Sequence, residues 1–330
     1  MSSAILATAP LDRPWVAADP FLSCTHHTDR FPAGDGRLGP AAGAPSEGWS
    51  RYFGPHVPGF PAHPHRGFET ITFVRRGLVD HADSLGAAGR YGQGDVQWLT
   101  AGAGVVHAEM FPLVDTEAGN PLDLFQIWLN LPATSKMTAP WFGMLWADQL
   151  PHLVVPGSAD VTVIAGALDG LEPPAPPPDS WAARPDSDLA VWHLALDAGG
   201  RFTLPPAEGA ETVRTLYAFE GGIDLDGIPV PEGTAVSLDA RRPVPVAAGG
   251  SPARALLLQG RPIGDPVVAR GSFVMTTEQQ IAEAVDDYQR TGFGGWPWPD
   301  LGPTHGLGGR FARYPDGREE TPEGTGQLTS

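Results

Sequence analysis

The rhythm of apolar and polar positions along this 330-residue chain changes at residue 63. Upstream, "FPAGDGRLGPAAGAPSEGWSRYFGPHVPGFP" (31–61) has no period and is dense in Gly and Pro, which predicts loops. Only "PWVAADPFL" (14–22) has the apolar content of a strand there. Downstream, "FETITFVRRGLVDHADS" (68–84) alternates and is rich in Ile, Thr, Phe and Val, the pattern of half-buried strands. "GRYGQGDVQWLTAGAGVVHAEMF" (89–111) reads as a glycine turn, a strand over Val96–Leu99, a second glycine-rich turn and a strand over Val105–Phe111. "PLDLFQIWLNLP" (121–132) is a further strand, ended by Pro132. Short strands with a turn every ~8–12 residues predict an antiparallel sandwich or barrel.

Residues 133–150, "ATSKMTAPWFGMLWADQL", read as an inter-domain connection, after which strand patterns return in "HLVVPG", "VTVIAGALDG", "LAVWHLALDAGG", "TVRTLYAFEG", "TAVSLDA" and "ARALLLQGRPI". The proline run "LEPPAPPPDSW" (171–181) holds an extended conformation and reads as a long loop inside the second domain. One helix is signalled. Thr277 is a candidate N-cap with Gln280 three residues on, a capping box. Ile281, Val285 and Tyr288 then make one apolar stripe, and Gly292 is a stop. Beyond about residue 300 the chain turns to Gly, Pro, Glu and Thr, the composition of an extended or mobile tail. The expected architecture is all-β: an N-terminal domain over 1–135, a C-terminal domain over 136–295 that includes the helix at 277–290, and a tail over 296–330. A chain of 330 residues suits two domains of ~150 each.

Composition agrees with many short strands, since Gly (42) and Pro (36) make up about a quarter of the chain. The net charge of −17 repels phosphate backbones and argues against direct nucleic-acid binding. A single cysteine, Cys24, excludes an intrachain disulfide and a thiolate metal cluster. The N-terminus lacks the basic region of a secretory signal, and no apolar run approaches the ~20 residues of a membrane span. The expectation is a cytoplasmic protein without membrane contact.

The candidate chemistry lies in four residues. On a strand, positions i and i+2 share a face. In "PAHPHRGFET" His63 and His65 therefore aim together, and in "GVVHAEM" so do His107 and Glu109. If both strands face into one barrel, the site holds three imidazoles and one carboxylate. That donor set, without sulfur, suits Fe(II), Mn, Zn, Ni or Cu(II), and an octahedral ion would keep two positions open for substrate or O2. Glu69, four residues after His65, is a rival carboxylate ligand, or a residue that orients a histidine. Gln126 and Trp128 share a face of the next strand and could line the pocket. His26 and His27 read as loop or surface, His81 with Asp83 as a strand-end hydrogen bond, and His193 as a core histidine. The second half has no such histidine pairing and is expected to bind no metal.

"HPHRGFETITFV…DHADSLG…GDVQWLTAGAGVVHAEM" closely resembles the pirin family of the cupin superfamily. "DPFL" (19–22), "FQIWLNLP" (125–132) and "GDPVVARGSFVMTTEQQIAEAVDDYQRTGFG" (264–294) extend the likeness over about residues 19–295, thinly over 33–55 and 170–245. The Gly/Pro-rich insertion before residue 56 and the tail after 300 depart from the family. The resemblance implies two cupin (double-stranded β-helix or jelly-roll) barrels in tandem, with one iron in the N-terminal barrel held by His63, His65, His107 and Glu109. It favours Glu109 over Glu69, which the general cupin pattern would use. It implies a quercetin 2,3-dioxygenase-like activity on a flavonol or related phenolic with O2. In such a reaction a carboxylate near the metal, Glu109 or Glu69, could take the substrate's hydroxyl proton as general base. The alternative it carries is an iron-dependent redox regulator that binds a protein partner.

Overall fold

The computed structural model describes residues 3–11 and 14–322. The chain folds into two compact units. One gathers residues 26–127, 131–148 and the chain from 265 onward; the other gathers the chain up to residue 25, 128–130 and 149–264. This differs from a division at 135/136, and strand pairing gives the reason. Ile5–Pro10 pairs with Thr234–Leu238, so the N-terminal strand belongs to the unit built from the second half. The C-terminal helix and tail belong to the unit that carries the paired histidines.

In the histidine-bearing unit one sheet orders six strands as Glu319–Glu320, Phe311–Arg313, Ala88–Gly92, Leu78–Asp83, Val105–Met110 and Gly59–His65. A second sheet runs Trp141–Leu145, Val96–Thr100, Phe68–Arg76, and then Asn120–Asn130 and Phe21–Phe31, two strands that contribute residues to both units. The core between these strands includes Val74, Val79, Tyr91, Leu99, Val105, Leu124 and Phe142, all buried. The stretch read as a connection therefore contains a strand: Trp141–Leu145 pairs antiparallel with Val96–Thr100. Its five-residue apolar run is too short to show a period against the flanking Pro140. Phe21–Phe31 is likewise an eleven-residue strand where loop was expected, and it carries His26 and His27.

The other unit has a seven-stranded sheet in the order Ile5–Pro10, Thr234–Leu238, Val213–Glu220, Ala253–Gly260, Ala190–Leu196, Ala159–Ala165 and His152–Val155, and a four-stranded sheet built from Arg201–Leu204, Val244–Ala248, Ile223–Leu225 and Ile228–Val230. Val163, Trp192, Leu194, Leu216, Leu225, Val236 and Leu257 form its core. The proline-rich 171–181 stretch is a loop of this unit, as expected, pinned where buried Trp181 donates its indole N–H to the Arg261 carbonyl at 2.8 Å.

The helix spans Glu278–Thr291. Thr277 caps it by accepting the Gln280 backbone N–H on its hydroxyl at 3.2 Å, while the Gln280 side-chain Oε1 accepts the N–H of Thr276, one residue earlier than a standard capping box. Gly292 ends the helix with φ of 56°. Ile281 and Ala284 share a buried cluster with Val106, Phe273 and Phe293, which joins the helix to the Val268–Arg270 and Phe273–Met275 hairpin and, through Phe293, to the strand that carries His107. The tail is not loose as far as residue 322. Trp298 donates its indole N–H to the Asp83 carbonyl (2.8 Å), the His305 N–H meets Asp80 Oδ2 (2.9 Å), Arg310 reaches Asp95 Oδ1 (2.8 Å), and Phe311–Arg313 pairs with Ala88–Arg90. Composition missed these anchors because single Trp, His and Arg residues, spaced irregularly, hold an otherwise unpatterned segment. Residues 323–330 lie outside the described residues. Among the described residues no helix is long and apolar enough to cross a membrane.

Candidate metal centre

Gly59–His65 is the edge strand of its sheet, which is why Pro64 is tolerated between two histidines. It pairs antiparallel with Val105–Met110, with His63 directly opposite His107 and Phe60 opposite Glu109. Two residues, Pro61 and Ala62, oppose the single residue Ala108, so a bulge lies at Pro61–Ala62. The bulge brings the Pro61 carbonyl to His63, whose Nδ1–H donates to it at 2.9 Å. That bond fixes the tautomer and leaves the His63 Nε2 lone pair free.

The three Nε2 atoms converge. His107 Nε2 lies 3.0 Å from His63 Nε2 and 2.9 Å from His65 Nε2, and the ligand atoms of all three residues lie within 4.8 Å of one another. Burial holds all three imidazoles below their ordinary value of 6.5, well below for His65 and His107, and the neighbouring imidazoles push those two the same way. For His63 burial outweighs the opposing pull of the Glu109 carboxylate. Three neutral rings thus bring basic nitrogens to one point inside the protein. Lone pairs packed so closely repel unless a cation joins them. His107 Nδ1 is buried without a hydrogen-bond partner among the described residues, so packing orients that ring: His63, His65 and His81 stand 4.5, 4.7 and 5.5 Å from it, centroid to centroid.

Glu109 is buried beside the triad. Its Oε2 is 3.7 Å from His107 Nε2 and accepts the Gln126 amide N–H at 2.7 Å, while the Thr72 hydroxyl approaches Oε1 at 3.4 Å. Gln126 is therefore a site residue, as its strand face allowed. Glu69 is not. Its Oε1 accepts the Thr100 hydroxyl at 2.6 Å. Phe68–Arg76 and Val96–Thr100 pair in regular register, so Glu69 and Thr100 lie on the face opposite the one from which Thr72 reaches Glu109. Extending strand parity from His65 to Glu69 failed because the strand ends between them. Gly67, with φ of 85°, turns the chain onto a new strand and resets the alternation.

The corner is held from the C-terminal segment. Arg66, buried, donates through Nε to the Ala103 carbonyl (2.6 Å) and through Nη1 to Asp287 Oδ2 on the helix (3.0 Å), with its guanidinium 4.5 Å from the Phe293 ring. Beyond His63 lies an aromatic flank: Phe60 stands 6.4 Å from His63, and Tyr52 and Phe53 stand 4.9 and 5.8 Å from Phe60. Tyr52 and Phe53 come from the Gly/Pro-rich insertion, whose lack of periodicity hid them. His27 joins this flank through Tyr52 Oη at 3.0 Å, and His26 bonds Asp123 at 2.9 Å, so neither is a plain surface residue. His81 does pair with Asp83, donating from Nε2 at 3.1 Å.

A tandem of β-barrel units with a trihistidine cluster on two paired strands of one defines the class: a two-domain cupin protein. The pirin family profile matches residues 27–129, and the profile of the pirin C-terminal cupin domain matches residues 191–294. A pirin-like protein of Caulobacter vibrioides is 38% identical over 238 residues, 72% of this chain and 82% of that one. Pirin-1 of Arabidopsis thaliana is 36% identical over 249 residues, 70% and 77% of the two chains. The structure of quercetin 2,3-dioxygenase from Acinetobacter baumannii superposes with a TM-score of 0.69 at 29% identity, covering 84% of this chain and 87% of that one. The chain belongs to the pirin family.

Proposed function

We propose that this protein is a metal-dependent oxidoreductase that opens the ring of a flavonol or a related phenolic with O2. The observation that carries the reading is the convergence of the Nε2 atoms of His63, His65 and His107, with Glu109 beside them. These four residues would hold one divalent transition metal; their N/O donor set without thiolate admits Fe(II), Mn, Ni, Cu and Zn alike, and the likeness to pirins selects Fe(II) among them. When bound there, such a metal would supply Lewis acidity toward a substrate hydroxyl and the redox capacity that O2 chemistry needs.

The protein's own groups do the rest. Glu109 takes the proton of the substrate hydroxyl on its carboxylate, which the Gln126 amide holds in place. Glu69 has no part in this, since it faces away. Phe60, Tyr52 and Phe53 offer aromatic faces to a planar ligand approaching beside His63. Burial of His65, His107 and Glu109 keeps water from the reacting atoms. The similarity to a quercetin 2,3-dioxygenase supports the choice of substrate class. Protein reconstituted anaerobically with Fe(II) is expected to consume O2 when quercetin is added, at a rate that His107→Ala lacks. Turnover no faster than that of free Fe(II), or equal in His107→Ala, overturns the proposal.

A further inference from the structure

The unit without the histidine triad has a cavity of its own. It measures about 700 Å³, the size of a small-molecule site, and opens between the 166–172, 182–190 and 205–208 segments. Arg214 and Gln259 line it, directly opposite one another on the Val213–Glu220 and Ala253–Gly260 strands. Both sit at the end of inward-facing rows: Arg214 precedes core residues Leu216 and Ala218, and Gln259 follows Leu257 and Ala255. Arg214 is 2% exposed.

A buried guanidinium normally has a carboxylate partner. This one does not. Its Nε and Nη2 donate to the amide oxygen of Gln259 and its Nη1 to the Pro205 carbonyl, all neutral acceptors. Among the described residues no carboxylate lies within ion-pair distance of it. Asp188 lends attraction from further off, but its oxygens are engaged by the Gly209 N–H (2.9 Å), the Thr212 hydroxyl (2.5 Å) and the Gln259 amide (3.1 Å). Burial pulls the Arg214 guanidinium down to about 10, which still leaves it charged at neutral pH. The apolar wall includes Trp192, fixed by its N–H to the Gly166 carbonyl at 3.2 Å, and the buried Leu168 and Leu189. At the rim Asp169, Glu172 and Glu208 are exposed and disfavour a second negative charge on a ligand.

We propose that this cavity binds a small aromatic monocarboxylate, whose carboxylate pairs with the Nη1 and Nη2 hydrogens of Arg214 that Gln259 and Pro205 leave over and whose ring lies against Trp192. One unit thus gathers neutral nitrogens suited to a cation, and the other a buried cation suited to an anion. The proposal does not depend on the activity of the metal centre.

Ligand-observed NMR titration of the full chain with benzoate, benzamide and phthalate tests it. Saturable binding of benzoate is expected, with benzamide and phthalate much weaker. Arg214→Gln should weaken benzoate about 10- to 100-fold, and His63→Ala should leave it unchanged. Benzamide binding as well as benzoate, loss of binding in His63→Ala, unchanged affinity in a folded Arg214→Gln, or no saturable binding overturns the proposal. Should Arg214→Gln fail to fold, crystals of the unaltered protein soaked in 4-bromobenzoate decide: a bromine anomalous peak in the Arg214 cavity supports the proposal, and its absence there refutes it.

Discussion

His63 and His107 are direct cross-strand partners, and their Nε2 atoms stand 3.0 Å apart. The pairing depends on the bulge at Pro61–Ala62, which sets the register and supplies the carbonyl that fixes the His63 tautomer. The site is thus a property of two strands and one extra residue.

The two carboxylates singled out by spacing should behave oppositely. Glu109→Gln is expected to weaken metal affinity about 10- to 100-fold, the effect of disturbing a group at or next to the ligands. Glu69→Gln should leave it within about threefold, because Glu69 faces Thr100 on the other side of its strand. Competition titration with a chromophoric chelator measures both. A large loss in Glu69→Gln alone would restore Glu69 as the ligand.

Stability of the metal-free protein should fall with acid. The three imidazoles are held below 6.5 in the folded state, while in the unfolded chain they titrate near that value. Above 6.5 neither state binds the protons and the contribution is constant. As pH drops below 6.5 the unfolded state takes them up first, and the native state loses up to ~1.4 kcal/mol per pH unit for each histidine until its folded value is reached. Urea midpoints between pH 5 and 8 report this. His107→Phe should flatten the slope, and an unchanged slope would contradict burial of a neutral ring.

Much of this site was legible in the sequence, and the failures share one cause. Alternation gave the strands of the meander and the shared faces of His63/His65 and His107/Glu109, because those pairs lie within single strands. It failed at Glu69, where Gly67 interrupts the strand, and at the bulge, which no sequence period reveals. The helix was readable from its caps. The cluster it shares with Val106 of the His107 strand, and the pairing of Ile5–Pro10 with Thr234–Leu238, were not, since long-range contact leaves no local pattern.

Gly67 is expected to accept no other residue. Its φ is 85°, and a Cβ there would stand 2.0 Å from the Val274 carbonyl oxygen. Gly67→Ala should cost at least about 1–3 kcal/mol and, by shifting the adjacent His65, lower metal content as well. Thermal unfolding of the metal-free variant separates the two effects. An unaltered midpoint would refute the steric reading.

Cys24 is fully buried and burial pushes its thiol far up, so it should be inert in the native protein. Ellman's reagent should label about one thiol per chain in guanidinium chloride and none without it. Rapid native labelling would contradict the packing around this strand.

The most direct test of the metal centre is elemental analysis of protein stripped with chelator, reloaded with Fe(II) anaerobically and desalted. The unaltered chain should carry about one iron, and His63→Ala and His107→Ala, folded by circular dichroism, close to none. Equal iron in the variants and the unaltered chain, or none in either, would contradict the assignment of these histidines as the metal's ligands.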